Sequence, residues 1–177
     1  MKIIEAERLF RTLEPKKNAY RTYEIGLLLN EQGETLRSSI KRLLKAKIIE
    51  RVARDVYWHL PTCAIGCQPL DEIAVMIRAT EINFIGMDSA ASQWGVISQI
   101  PVGRLTVMTT GREGEFNTRF GTIEFIHTKA APTEIYRNTV PLQTSPLRIA
   151  SKRYAVQGLL RAKRSLDLID WEELEDE

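Results

Sequence analysis

The fold is decided by the stretch ETLRSSIKRLLKAKIIERVARDVYW, which runs from Glu34 to Trp58. Its first half carries apolar residues at spacings of three and four, which predicts a helix with one apolar face. These residues are Leu36, Ile40, Leu43 and Leu44. Its second half is rich in β-branched and aromatic residues, interrupted at Arg54 and Asp55, which predicts a β-hairpin. The stretch therefore predicts a helix followed by two paired strands.

Two further helices are predicted before this stretch. Apolar spacing predicts a helix from Ile3 that ends before Pro15, and a second helix over 21–29 that ends at turn residues 30–33. Helix, helix, turn, helix and hairpin is the order of a winged helix-turn-helix, so we expect that fold for residues 1–60. Lost periodicity predicts a linker over 61–69. Alternating helix and strand patterns then predict a compact α+β domain over 70–177, and hence an α+β protein.

Positive charge is concentrated in the first part of the chain. Residues 1–60 hold 13 Lys/Arg against 8 Asp/Glu, and the stretch from 34 to 54 holds seven cations against two anions. At about 100° per residue, the face of the third helix opposite its apolar stripe is basic and polar. It carries Ser38, Lys41, Arg42 and Lys45, with Arg37 on its flank. This face is suited to the phosphates and base edges of DNA, and the alternative is a solvated face on a protein-interaction module.

Residues 143–166 hold six cations and no acid, whereas residues 167–177 hold seven acids and no base. This pattern predicts a basic helix followed by an acidic tail. Two interpretations remain open: a solvated helix face, or a second surface for nucleic acid.

Several functional classes are disfavoured by the sequence. No apolar run reaches the roughly 18 residues that a membrane-spanning helix needs, and the N-terminal residues do not resemble a signal peptide, so we expect a soluble, cytoplasmic protein. His59, Cys63 and Cys67 are zinc-ligand types without a nearby fourth ligand, which disfavours a metal site. His127 has no evident nucleophile, and neither a phosphate-binding loop nor a nuclease carboxylate pattern is present. We expect no enzymatic activity and no cofactor.

Two parts of the sequence resemble antitoxins of the AbiEi type, from bacterial type IV toxin–antitoxin systems associated with abortive phage infection. The first is LLKAKIIER with RDVY, residues 43–51 and 54–57. The second comprises IGMDSAASQWG, IP, TVMTT and FNTRFGTIEF, residues 85–95, 100–101, 106–110 and 116–125. The sequence departs from the family at Lys47 and Asp55, where the family often has glycine.

The resemblance implies a transcriptional repressor that binds inverted repeats upstream of its own operon and opposes a nucleotidyltransferase toxin, without needing a stable complex with that toxin. Carried onto this sequence, the DNA contacts fall on the third helix and the hairpin. These residues are Thr35, Arg37, Ser38, Lys41, Arg42, Lys45, Arg54 and Tyr57. For the second domain we expect a basic surface formed by Arg148, Lys152, Arg153 and Arg161.

Overall fold

The computed structural model describes residues 2–13, 17–62, 68–98 and 102–175. The chain divides into two compact units, residues 1–77 and 78–177. Each unit combines helices with a β-sheet of its own, so the protein is of the α+β class, as the sequence predicts. Within the described ranges, no helix is both long enough and apolar enough to cross a membrane.

The described part of the first unit contains four α-helices and three strands. The helices are α1 (Ile3–Thr12), α2 (Thr22–Leu29), α3 (Gly33–Lys45) and α4 (Pro69–Ile77). The strands are β1 (Ala19–Arg21), β2 (Ile49–Ala53) and β3 (Val56–His59), and a 3-10 turn at Leu60–Thr62 follows β3. The strands form an antiparallel sheet in the order β1-β3-β2. The three helices and the hairpin of the predicted order are present, and β1 is an addition that the sequence did not predict.

The apolar stripe of α3 holds this helix on the core of the first unit. Leu36, Ile40 and Leu43 are all buried in one hydrophobic cluster, as their spacing predicts. Gly26 lets α2 lie close to α3, because a Cβ at this position would come within 2.9 Å of the Glu31 carbonyl oxygen and 3.0 Å of Leu36 Cδ2. The orientation of α3 is therefore set by side-chain burial and by close backbone approach.

Helix α4 belongs to the first unit, whereas the sequence pattern predicts a second domain over 70–177. The Glu72 carboxylate accepts hydrogen bonds from the backbone N–H of Asn18 at 2.9 Å, from Asn18 Nδ2 at 3.0 Å and from the backbone N–H of Ala19 at 3.3 Å. Ile73 and Ala74 on the same helix are fully buried. These contacts join α4 to β1 across more than fifty residues, a separation over which local sequence patterns carry no information. Most of the predicted linker, residues 63–67, lies outside the described residues.

The second unit is built on a six-stranded mixed sheet with the order β6-β7-β5-β4-β9-β8. Its strands are β4 (Asn83–Ile85), β5 (Arg104–Thr109), β6 (Gly114–Thr118), β7 (Gly121–His127), β8 (Thr139–Pro141) and β9 (Arg148–Ala150). Its helices are α5 (Met87–Gln93), α6 (Pro132–Arg137), α7 (Lys152–Ala162) and α8 (Trp171–Glu175), with a 3-10 turn at Leu166–Leu168. The pairs β4–β9 and β5–β7 are parallel, and the other neighbouring pairs are antiparallel. Strands β5 and β7 cover the β-rich stretches of the sequence at 105–109 and 122–127.

Candidate nucleic-acid interface

Helix α3 presents a polar, basic face to solvent along its whole length. Opposite this face, Leu36 and Leu43 are 8% and 2% exposed. The exposed side chains include all six that the sequence assigned to this helix: Thr35, Arg37, Ser38, Lys41, Arg42 and Lys45. Because its other face is anchored in the core, the helix can present these side chains to a ligand without rearranging.

Two of the α3 cations have partners within the helix. Arg37 Nη1 donates to Glu34 Oε2 at 3.1 Å, but the two side chains are 79% and 81% exposed, so water screens the pair strongly. Arg42 Nη2 donates to Ser39 Oγ at 2.9 Å, a contact that orients its guanidinium along the helix. Within the described chain, Lys41 and Lys45 make no ion pair. The positive charge of these two lysines is therefore open to an anionic ligand.

A left-handed turn connects α3 to the hairpin. Lys47 takes φ = 54°, at a helix-end position that glycine commonly occupies. Its N–H donates to the Leu44 carbonyl oxygen at 3.1 Å, and the N–H of Ile48 donates to the Leu43 carbonyl oxygen at 3.1 Å. These two bonds form a Schellman motif, which ends the helix and turns the chain into β2.

The hairpin turns at Arg54 and Asp55. Asp55 takes φ = 65°, and its carboxylate accepts a hydrogen bond from Arg21 Nη2 at 3.2 Å. Arg54 is exposed at the tip, where the family resemblance implies a DNA contact. Tyr57, the other expected contact of the hairpin, is half-buried and packs against the hydrophobic cluster. Its ring therefore also holds the hairpin to the core.

Sequence reasoning missed a groove beside the turn between α2 and α3. The groove has a volume of about 670 Å³, and residues of α2, the turn and the start of α3 line it. Tyr23 and Leu27, one helical turn apart on α2, are 58% and 76% exposed there. The sequence predicts that both belong to the apolar face of α2, but the residues of α2 that face the core are Ile25, Leu28 and Leu29.

The four cations that we expected to form a basic surface on the second unit differ in their contacts and exposure. Arg148 Nε donates to Thr139 Oγ1 at 2.8 Å, and its guanidinium lies 4.2 Å from the centroid of the Tyr136 ring. Lys152 Nζ is held by the Glu173 carbonyl oxygen at 2.8 Å and the Glu173 carboxylate at 3.2 Å. The remaining two, Arg153 and Arg161, are exposed at opposite ends of α7. Arg148 and Lys152 serve local packing, so the charge that reaches solvent is smaller than the sequence indicates.

A network of ion pairs occupies the second unit near Glu124. Arg164 Nη2 lies 2.9 Å from Glu124 Oε2, and Arg164 Nε lies 2.6 Å from Asp88 Oδ2. Arg104 contacts Glu124 at 3.4 Å. Burial alone would raise the pKa of Glu124, but hydrogen bonds from Arg164 and Arg104 outweigh burial and hold this pKa below its ordinary value. A carboxylate held ionised between two guanidiniums is suited to stabilising the fold.

The two histidines differ in their surroundings. His127 is exposed, and its Nδ1 lies 2.8 Å from the Gly111 carbonyl oxygen. His59 is fully buried, and its ring stacks on Phe10 with the centroids 4.7 Å apart. Cys63 and Cys67, the other members of the weak zinc pattern, lie outside the described residues. Within the described ranges, no three His, Cys, Asp or Glu side chains come together as a metal site.

A comparison of this sequence with protein-family models finds no match, and a comparison with curated proteins finds none either.

Proposed function

We propose that the first unit is a winged helix-turn-helix domain that binds double-stranded DNA, with α3 as its recognition helix and β2–β3 as its wing. The observation that carries this proposal is the exposed basic face of α3 on a helix whose other face is buried. A solvated face is the simpler explanation for an isolated charge run, but here an exposed cationic hairpin tip follows the same helix.

The dimensions of α3 fit this role. Its 13 residues give a length of about 20 Å, and the major groove of B-DNA, about 12 Å wide, admits one α-helix. Arg37, Ser38 and Arg42 have side chains able to reach base edges, since arginine pairs with guanine and serine with several bases. Lys41, Lys45 and Arg54 are suited to phosphates, which give affinity without sequence preference.

The backbone also supports the proposed family. Lys47 and Asp55 are the two positions at which the sequence departs from the glycine of AbiEi-type antitoxins, and both adopt positive φ, the conformation that glycine favours. We therefore propose that the protein is a cytoplasmic repressor that binds inverted repeats upstream of its own operon and, as the antitoxin, opposes a nucleotidyltransferase toxin.

The proposal is tested by measuring the binding of the protein to the DNA upstream of its gene and to scrambled DNA. Binding is measured by fluorescence anisotropy at two salt concentrations. The variant carries Lys41→Ala and Lys45→Ala, because Arg42 also bonds Ser39 and its removal would disturb the helix. We expect weaker binding and a salt slope smaller by about one for each phosphate contact removed. Arg8→Ala removes one exposed cation from α1, away from α3 and the hairpin, and is the control, expected to bind like the wild type.

A second function is favoured by the groove beside Tyr23 and Leu27, whose exposed apolar side chains are typical of a protein-docking surface. On that alternative, the first unit forms a stable stoichiometric complex with a partner protein and has negligible DNA affinity. Equal, weak binding to both DNAs, unchanged by the lysine substitutions, would reject the DNA-binding proposal and favour docking.

A further inference from the structure

The second unit contains a cavity between its sheet and α7, with a volume of about 290 Å³. Its floor is a row of apolar side chains, because Phe84 pairs with Met108 across β4–β5 and Met108 pairs with Ile126 across β5–β7. The centroid of the Tyr154 ring, from α7, lies 6.1 Å from that of the Phe84 ring with the planes 29° apart, and the ring adds an aromatic wall. We call this space the α7 cavity.

Two glycines and a strained methionine shape the α7 cavity. Met87 takes φ = 52°, a left-handed conformation that costs a non-glycine residue about 1–2 kcal/mol. A Cβ at Gly158 would lie 2.8 Å from Met87 Sδ, and a Cβ at Gly86 would lie 2.5 Å from Met108 Cγ. The glycines thus leave room for two methionine side chains in the wall. Methionine is flexible and polarisable, and its sulfur makes favourable contacts with aromatic rings.

The rim of the α7 cavity is cationic. Lys129 and Arg161 line it from the end of the sheet and from the last turn of α7, and both are exposed. Within the described residues, neither side chain makes an ion pair. The Tyr154 hydroxyl donates to Glu134 Oε1 at 3.5 Å, whereas Lys129 and Arg161 supply positive charge to the lining.

We propose that the α7 cavity binds a small aromatic carboxylate, with its ring between the methionines and the aromatic wall and its carboxylate at Arg161 and Lys129. An apolar body leaves water when it enters such a space, whereas the carboxylate stays near the surface and pairs with cations that have no other charged partner. The volume is at the small end for ligand sites, which favours one or two fused rings over a nucleotide or a peptide. This inference does not depend on DNA binding by the first unit.

To test the proposal, 2-naphthoate is titrated into the full chain, which carries ¹³C at its methionine methyl groups, and the methyl signals are followed by NMR. We expect the Met87 and Met108 signals to shift saturably, with a dissociation constant of about 1 mM or tighter, while the Met76 signal, from the first unit, stays in place. Uncharged 2-naphthylmethanol is expected to bind more weakly, because it lacks the carboxylate.

Two variants and one control separate the cavity from its rim. Ala162→Phe, at an exposed lining position, should block the mouth and abolish the shifts, and Arg161→Gln with Lys129→Gln should weaken binding about fivefold. Arg112→Gln, an exposed cation outside the cavity, should leave binding unchanged. The proposal is overturned if the two methionine signals do not respond, if the alcohol binds as tightly as the acid, or if Ala162→Phe binds like the wild type while retaining its dispersed methionine spectrum.

Discussion

Protonation of His59 is expected to destabilise the first unit in mild acid. The side chain has no exposed surface, and its ring stacks on Phe10 with the planes 16° apart. Desolvation by burial lowers the pKa of His59 from 6.5 to about 4; Glu7 opposes this shift and Arg11 adds to it. The folded chain therefore keeps the imidazole neutral at pH values at which the unfolded chain protonates it.

The size of the effect follows from the two pKa values. The unfolded chain binds the proton below about pH 6.5 and the folded chain only below about pH 4, so stability is complete above 6.5 and falls as the pH falls towards 4. Since one pKa unit corresponds to about 1.4 kcal/mol, the loss in the free energy of unfolding reaches about 2 kcal/mol at pH 5 and about 3 kcal/mol at pH 4.

The measurement is urea unfolding of the full chain at pH 7 and pH 5, followed by ¹⁹F NMR with 5-fluorotryptophan. Of the three tryptophans, Trp58 lies on β3 and reports on the first unit. His59→Phe keeps an aromatic ring against Phe10 and removes the titratable group. The substitution can change the free energy of unfolding by the same amount at both pH values, so the readout is the difference in this free energy between pH 7 and pH 5. If the variant and the wild type lose the same stability between pH 7 and pH 5, a protonation event at His59 is refuted.

Two further predictions concern stability and are measured by the same urea unfolding, followed by the ¹⁹F signals of 5-fluorotryptophan. Glu124→Gln should destabilise the second unit, reported by Trp94, by about 1–3 kcal/mol at pH 7 because it weakens charged hydrogen bonds to Arg164 and Arg104. The wild type should lose this advantage below the ordinary glutamate pKa, since the pKa of Glu124 is lowered in the fold; an unchanged urea midpoint contradicts the prediction. Lys47→Gly should stabilise the first unit by about 1 kcal/mol, because glycine takes φ = 54° without strain. Lys41→Gly, inside α3, should destabilise it by about as much, and a lower midpoint for Lys47→Gly would contradict the argument.

The first three helices and the hairpin of the first unit could be predicted because they carry strong local signals. The stripe of Leu36, Ile40 and Leu43 specifies both the type of element and its buried face. The hairpin is marked by a polar pair between β-rich runs.

The elements that were missed have little local signal. Strands β1, β8 and β9 are three residues long, too short for a period of two to be visible, and they exist because neighbouring strands satisfy their backbone hydrogen bonds. Strand β6 reads as a turn-rich loop, but it pairs with β7 from Gly114 to Thr118. Helix α4 is held in the first unit by the hydrogen bond from the Asn18 N–H to the Glu72 carboxylate, which joins residues far apart in sequence.

The candidate site also combines features that the local sequence predicts with features that it does not. A cationic helix face follows from spacing alone, since it needs only the periodicity of α3. Spacing alone does not show whether a given cation is free to bind a ligand, because an acid that pairs with it can come from elsewhere in the chain. Lys152 appears in a stretch without acids, but Glu173 folds back onto it. The α7 cavity was not foreseen for a similar reason, since its lining comes from strands and helices separated by many residues.

The arrangement of acids, more than the number of cations, therefore distinguishes the two basic segments. In residues 143–166, Arg164 and Lys152 are neutralised by acids from other elements, although the segment itself has none. On α3, Arg37 pairs with Glu34 within the helix, and this exposed pair is weak and easily exchanged for a phosphate. A polyanion thus meets more unneutralised charge on α3 than on α7. For this reason we place the proposed salt-dependent DNA binding on the first unit, and treat α7 as the wall of a small-molecule cavity.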